Sequence, residues 1–67
     1  MPLSPAKLTA ARERAKLDTR KLARHAHTTE AHVRQLEDGR GLASVSLNLV
    51  ERLAKALGVT VNDLLED

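Results

Sequence analysis

The feature that most constrains the fold is a pair of short helical patterns that meet across a turn within residues 17–39. Apolar residues of the first pattern recur at the spacing of one helix face, and Asp18 stands where an N-cap belongs. In the second pattern Thr29 takes the N-cap position, and Val33 and Leu36 point to the same side. The sequence therefore predicts two consecutive short helices in an all-α fold.

The second of these helices has more exposed polar surface than packing requires. Its outward positions carry Glu30, Ala31, Arg34 and Gln35, a set able to contact base edges or phosphates of a nucleic acid. Gly39 ends the helix, because glycine readily takes the left-handed conformation that follows many helices. Two short helices with such a turn between them form a helix-turn-helix.

Five helices and no strands are predicted for the whole chain. Ser4 and Pro5 mark the start of the first, Ser46 the start of the fourth, and Thr60 with Asp63 a short fifth helix. The inward positions of these three helices are Leu8, Ala11, Arg12 and Ala15; Leu47, Val50, Leu53, Ala54 and Leu57; and Leu64 and Leu65. At 67 residues we expect one domain, residues 1–67, with one small core.

Composition argues against several classes of protein. The chain has no Cys, Phe, Tyr or Trp, so it lacks disulfides and the stacking platforms of many single-strand and RNA binders. No apolar run approaches the length of a membrane span, and the N-terminus lacks the apolar core of a signal peptide. We expect a cytoplasmic protein without membrane contact, without a cofactor and, having no second domain, without a small-molecule effector.

Charge is distributed unevenly along the chain. Residues 1–34 carry eight Lys and Arg against three Asp and Glu, a net +5, whereas residues 35–67 carry three against six, a net −3. The basic half contains most of the helix-turn-helix, and such an asymmetry favours a face drawn to a polyanion. A solvated surface with ordinary scatter of charges is the alternative.

Several short segments, in order and at consistent spacing, match a known family. They are Leu22-Ala23, Thr29 through Val33 to Leu36-Glu37, Gly39, Ser46-Leu47, Leu53 through Val59, and Asp63-Leu64-Leu65. Over roughly residues 8–65 the chain resembles the lambda- and Cro-repressor-like helix-turn-helix family, also called the xenobiotic-response-element family of bacterial and phage regulators. The resemblance implies a compact five-helix domain that binds duplex DNA as a homodimer, with the third helix in the major groove and the second across the backbone.

The resemblance and the exposed face together assign roles to individual residues. Base contacts are expected at Thr29, Glu30, Ala31, Arg34 and Gln35. Contacts to the DNA backbone are expected at Thr19, Arg20, Arg24, Thr28, His32 and Arg40. A salt bridge between Arg12 and Glu37 is implied as a brace between the first and third helices. The less basic C-terminal half is the expected dimer surface, through Leu42, Val45, Val59 and Val61.

Three departures from the family pattern concern DNA affinity. His27 stands at a turn position where the family often has Gly, and it predicts some strain if that position needs a positive φ. Thr19 replaces a Gln that commonly contacts phosphate, so its reach is shorter. The loop at residues 40–44 keeps one basic residue, Arg40, which predicts fewer phosphate contacts and a shallower dependence on salt.

Other functions have less support in the sequence. His25, His27 and His32 invite a metal site, but no carboxylate or cysteine completes an obvious tetrahedral set, so we favour phosphate contact or hydration. Catalysis lacks a recognisable nucleophile and a pocket, and we expect no enzyme.

Two hypotheses remain. The first is a sequence-specific duplex-DNA-binding transcriptional regulator, a repressor that acts as a homodimer on a two-fold symmetric operator. The second is a protein-interaction module that keeps the fold with little or no recognition of DNA and has a toxin or an anti-repressor as its partner. The sparse basic loop and the Glu at the start of the third helix keep this second hypothesis open.

Overall fold

The helices of the chain are described by a computed structural model that covers residues 2–66. In that range the α-helices are α1 (Pro5–Arg14), α2 (Thr19–His25), α3 (Glu30–Glu37) and α4 (Leu47–Leu57). Two 3-10 turns, Leu42–Ser44 and Asn62–Leu64, follow α3 and α4 respectively. The predicted all-helical fold, with α2 and α3 as consecutive helices across a turn, is confirmed within the described residues, but the predicted count of five helices is wrong.

Each α-helix begins at a side chain that the sequence marks as an N-cap. Ser4, Asp18, Thr29 and Ser46 accept hydrogen bonds from the backbone N–H groups three residues ahead, at 3.2, 2.7, 3.1 and 3.1 Å. These bonds satisfy donors that the first turn of a helix leaves unpaired. The four predicted starts are therefore confirmed by local hydrogen bonding.

One aliphatic cluster holds the helices together. Its largest fully buried members are Leu3, Leu8, Leu22, Val33, Leu36, Leu53 and Leu64. Helix α3 packs against α2 and α1, whereas α4 packs chiefly against α2. As a result α2 lies between α3 and α4, and the outward face of α3 stays uncovered by the rest of the chain.

The predicted fifth helix is replaced by a single 3-10 turn. Thr60 and Asp63 do form the expected reciprocal cap, with the Thr60 N–H donating to Asp63 Oδ2 at 2.9 Å and the Asp63 N–H to Thr60 Oγ1 at 3.2 Å. Helix then stops because Leu65 is extended and pairs with Leu3 in an isolated antiparallel bridge. Backbone hydrogen bonds of 2.8 and 2.9 Å flank that bridge. Because Leu65 pairs with Leu3, it cannot continue the helix.

Two residues predicted to face inward are exposed. Ala15 follows the last turn of α1 as its C-cap, beyond the part of the helix that meets the core. Leu47 is the first residue of α4 and is 62% exposed, because the buried stripe of this helix begins at Leu49. The exposure of Leu47 creates an apolar surface that the helical period alone did not predict.

Candidate nucleic-acid interface

Helix α3 separates buried from exposed side chains sharply. Val33 and Leu36 are fully buried, and they fix the helix on the core. Ala31, Arg34 and Gln35 are exposed on the other side. An exposed helical face with one small, one cationic and one amide side chain can contact a thymine methyl, a guanine and an adenine in the major groove.

The end of α3 is braced by an ion pair to α1. Arg12 Nε donates to Glu37 Oε2 at 2.7 Å and Arg12 Nη2 to Glu37 Oε1 at 3.1 Å, and the two side chains are 17% and 11% exposed. Arg12 Nη1 also donates to the Leu17 carbonyl oxygen at 3.0 Å. The hydrogen bond to Glu37 raises the pKa of Arg12 above its usual value, against the opposing effect of burial. This arrangement is the ion pair between the first and third helices that the resemblance implied, and it engages both carboxylate oxygens of Glu37.

The start of α3 is held by a second network, which the sequence reasoning missed. Thr19 Oγ1 donates to Glu30 Oε2 at 2.9 Å, and Arg34 Nη2 donates to the same oxygen at 3.0 Å. The spacing of Glu30 and Arg34, one helical turn apart, is a signal that could have revealed half of this network. Two of the expected base-contacting side chains therefore bind each other in the free protein, and Gln35 stands outside the network.

The turn between α2 and α3 brings Thr28, Thr29 and His32 together. Thr28 Oγ1 and His32 Nδ1 lie 3.1 Å apart, within hydrogen-bonding distance, and Thr29 caps α3.

His27 has φ of +57°, the left-handed conformation expected from the turn position. Because most residues with a Cβ atom avoid this region, His27 stores strain that glycine would not.

The cations expected to contact the DNA backbone differ in their surroundings. Arg20 and Arg24 are exposed on α2, where positive charge can meet phosphates. Arg40, in the loop after α3, donates to Asp38 at 3.2 Å, and both side chains are more than 60% exposed. The carboxylate of Asp38 reduces the positive potential that the single basic residue of this loop supplies.

The four residues predicted for the dimer surface lie in different places. Leu42 and Val45 line an apolar groove of about 260 Å³ together with the exposed Leu47. Leu3, Val50 and Leu65 complete its lining. Val59 lines a separate groove beside α1, and Val61 packs partly buried against the core. The structure therefore places Leu42 and Val45 in one groove, and it places Val59 and Val61 outside that groove.

No group of three or more His, Cys, Asp or Glu side chains in residues 2–66 is arranged to hold a metal ion. Within the same range, none of the helices has the length and apolar character needed to cross a membrane.

Comparison with known families agrees with the arrangement of α2 and α3. The profile of a family described as "Helix-turn-helix domain" matches residues 6–66, which include α2, α3 and α4 and all but the first residue of α1. None of the curated proteins compared with the chain matches it.

Proposed function

The chain belongs to the helix-turn-helix domain family, of the lambda- and Cro-repressor type, and from this premise we propose that it is a sequence-specific regulator of transcription that binds duplex DNA. The observation that carries the proposal is the outward face of α3, where Arg34 and Gln35 are exposed while Val33 and Leu36 are fully buried. A helix anchored in this way can enter the major groove without disturbing the core.

In the proposed complex α3 lies in the major groove and recognises bases. Gln35 pairs with adenine through two hydrogen bonds, Ala31 contacts a thymine methyl, and Arg34 donates to guanine or to a phosphate. Helix α2 crosses the backbone, where Arg20 and Arg24 contact phosphates. The remaining expected contacts, at Thr19, Thr28, Thr29, Glu30, His32 and Arg40, are part of the same proposal.

We propose that the protein binds DNA as a homodimer and represses transcription by occupying a two-fold symmetric operator. Leu42, Val45 and Leu47 form the apolar contact between the subunits, because burial of the exposed Leu47 removes apolar surface from water. Val59 and Val61 lie outside this groove and are not needed for the proposed contact. Light scattering of the wild type and of Leu47→Glu tests the contact; a wild type that stays monomeric with and without DNA would refute it.

The proposed base contacts are tested by Gln35→Ala, with Asn48→Ala as the matched control. Both remove an exposed amide side chain, but Asn48 lies on α4. On a preferred duplex, we expect Gln35→Ala to weaken binding roughly tenfold and to relax preference at one base pair, whereas Asn48→Ala leaves affinity within about twofold. Equal effects of the two substitutions would contradict base recognition by α3.

A second candidate, a protein-interaction module whose partner is a toxin or an anti-repressor, is favoured by the positions of two carboxylates. Glu30 places a carboxylate at the start of α3, and the only basic residue of the loop, Arg40, is paired with Asp38. Both carboxylates oppose approach to phosphates. The two functions differ in the ratio of affinities for a preferred and a shuffled duplex, which is near one for the module and large for the regulator.

A further inference from the structure

A cleft lined by nitrogen-bearing side chains lies between α4 and the C-terminal end of α2. Its volume is about 500 Å³, and its lining consists of His25, His27, Arg52, Lys55 and Ala56. The four polar side chains are all exposed. Because imidazole, guanidinium and ammonium groups all donate hydrogen bonds, the cleft suits an anionic ligand.

The cleft lies where α4 packs against α2, and it borders the turn between α2 and α3 because His27 directly precedes Thr28. The bond between Thr19 and Glu30 places the other end of α2 beside the start of α3. Thr19 and His25 are the first and last residues of α2, which places them about 9 Å apart along the helix axis. None of the residues that line the cleft belongs to α3, whereas His25 and His27 are next in sequence to the expected phosphate contacts Arg24 and Thr28.

Two features fix the residues that line the cleft before a ligand binds. Arg52 Nε donates to the Ala26 carbonyl oxygen at 2.8 Å, which caps the end of α2 and limits the motion of the guanidinium. His27, at φ of +57°, occupies a backbone conformation that glycine takes at lower cost. Lys16, in the loop between α1 and α2, has a similar φ of +59°, so this conformation fixes the backbone at the cleft but does not by itself mark a functional site.

We propose that this cleft binds an acidic segment of a partner polypeptide, through several Asp or Glu carboxylates at once. A single exposed ion pair contributes little free energy of binding, so a small anion with one charged group would bind weakly. A flexible chain with several carboxylates can contact Arg52, Lys55 and the two imidazoles together, whereas a duplex must be deformed, at a cost in free energy, to follow a concave surface. Glu51 and Asn48 line a neighbouring depression that shares Arg52 and Lys55 with the cleft, so one carboxylate lies close to these two cations.

The test uses a fluorescent peptide of alternating glutamate and serine at low ionic strength, with a glutamine–serine peptide as the probe control. Lys55→Glu is paired with Arg14→Glu, because each reverses one exposed charge in the last turn of its helix. We expect the acidic peptide to shift the amide resonances of residues 25, 27, 52 and 55. Lys55→Glu should weaken its binding about fivefold or more, and Arg14→Glu less than about twofold.

His27→Gly separates binding from folding, because glycine suits the backbone conformation at this position. We expect this variant to stay folded and to bind the acidic peptide more weakly. The proposal is overturned if the glutamine peptide binds equally well, or if Lys55→Glu and Arg14→Glu lose the same affinity. It is also overturned if a duplex displaces the peptide and Lys55→Glu weakens duplex binding as strongly as Arg20→Glu does, since the cleft would then be a phosphate-binding surface. Peptide binding does not require DNA binding, so the proposed function can fail independently.

Discussion

Thr19 and Glu30 join the first turns of α2 and α3 through a hydrogen bond of 2.9 Å between the threonine hydroxyl and the glutamate carboxylate. The same carboxylate oxygen accepts a bond from Arg34 at 3.0 Å. Helix α2, which is proposed to cross the DNA backbone, is thereby fixed relative to α3, which is proposed to contact bases. The network also neutralises Arg34 in the free protein, so Glu30 controls how much positive charge this face presents.

Removal of the Glu30 charge is therefore expected to strengthen non-specific DNA binding. In Glu30→Gln the repulsion of phosphates is lost and Arg34 is released, which predicts a rise of about three- to tenfold in affinity for a random duplex at low salt. Fluorescence anisotropy measures the change. Glu51→Gln on α4 is the matched control, and an equal rise in both variants would mean that overall charge, rather than the position of Glu30, determines the effect.

The ion pair between Arg12 and Glu37 is expected to matter for stability. Glu37→Ala leaves a guanidinium that is only 17% exposed without its carboxylate, so the free energy of unfolding should fall by about 2 kcal/mol. Arg40→Ala breaks an exposed pair of 3.2 Å and should change that free energy by less than about 0.5 kcal/mol. Urea denaturation at neutral pH compares the two. Similar losses would contradict a special role for the brace.

Strain at His27 predicts that a glycine there does not destabilise the protein. His27→Gly removes a left-handed conformation that costs about 1–2 kcal/mol, offset by about 0.5–1 kcal/mol from the greater freedom of glycine in the unfolded chain. The net expectation is a gain of up to about 1.5 kcal/mol in the free energy of unfolding. His25→Gly, at the last position of α2, should instead lose roughly a few tenths of a kcal/mol. The opposite order of the two variants in thermal denaturation would show that His27 is not strained.

The cap between Thr60 and Asp63 predicts a dependence of stability on pH. The hydrogen bond from the Thr60 backbone N–H lowers the pKa of Asp63 below its ordinary value of 3.8, with a further contribution from the Thr60 side chain. Since the pKa is lower in the folded state, the carboxylate stabilises the fold above the ordinary value, and this contribution is lost as the pH falls through the folded pKa. Melting temperatures of the wild type and Asp63→Asn should therefore differ at neutral pH and converge in acid. A constant difference would contradict the cap.

Local interactions account for most of what the sequence predicted about the fold. The four N-caps each depend on a few neighbouring residues, and their residue types are diagnostic. The left-handed conformation at His27 was expected only conditionally, from the resemblance to a family that often has Gly there. The absent fifth helix depends instead on the pairing of Leu3 with Leu65, which are far apart in sequence. The exposure of Leu47 likewise depends on where α4 meets the core, which a helical period does not specify.

The same distinction applies to the candidate interface. The exposed face of α3 was predicted from the spacing of Val33 and Leu36. The pairing of Glu30 with Arg34 could have been predicted in the same way, because the two residues lie one helical turn apart. The hydrogen bond from Arg52 to the Ala26 carbonyl crosses between two helices and leaves no pattern in the sequence. The basic cleft therefore required the three-dimensional structure.

Selection of preferred sites from a pool of random duplexes, followed by salt-titrated binding to the selected site and its shuffled version, tests the proposed DNA recognition most directly. We expect an enriched site with two symmetric halves about one helical turn apart and an affinity at least about a thousandfold above that for the shuffled duplex at physiological salt. Absence of an enriched site, with equal affinity for both duplexes, would contradict the proposal that this chain recognises DNA sequence.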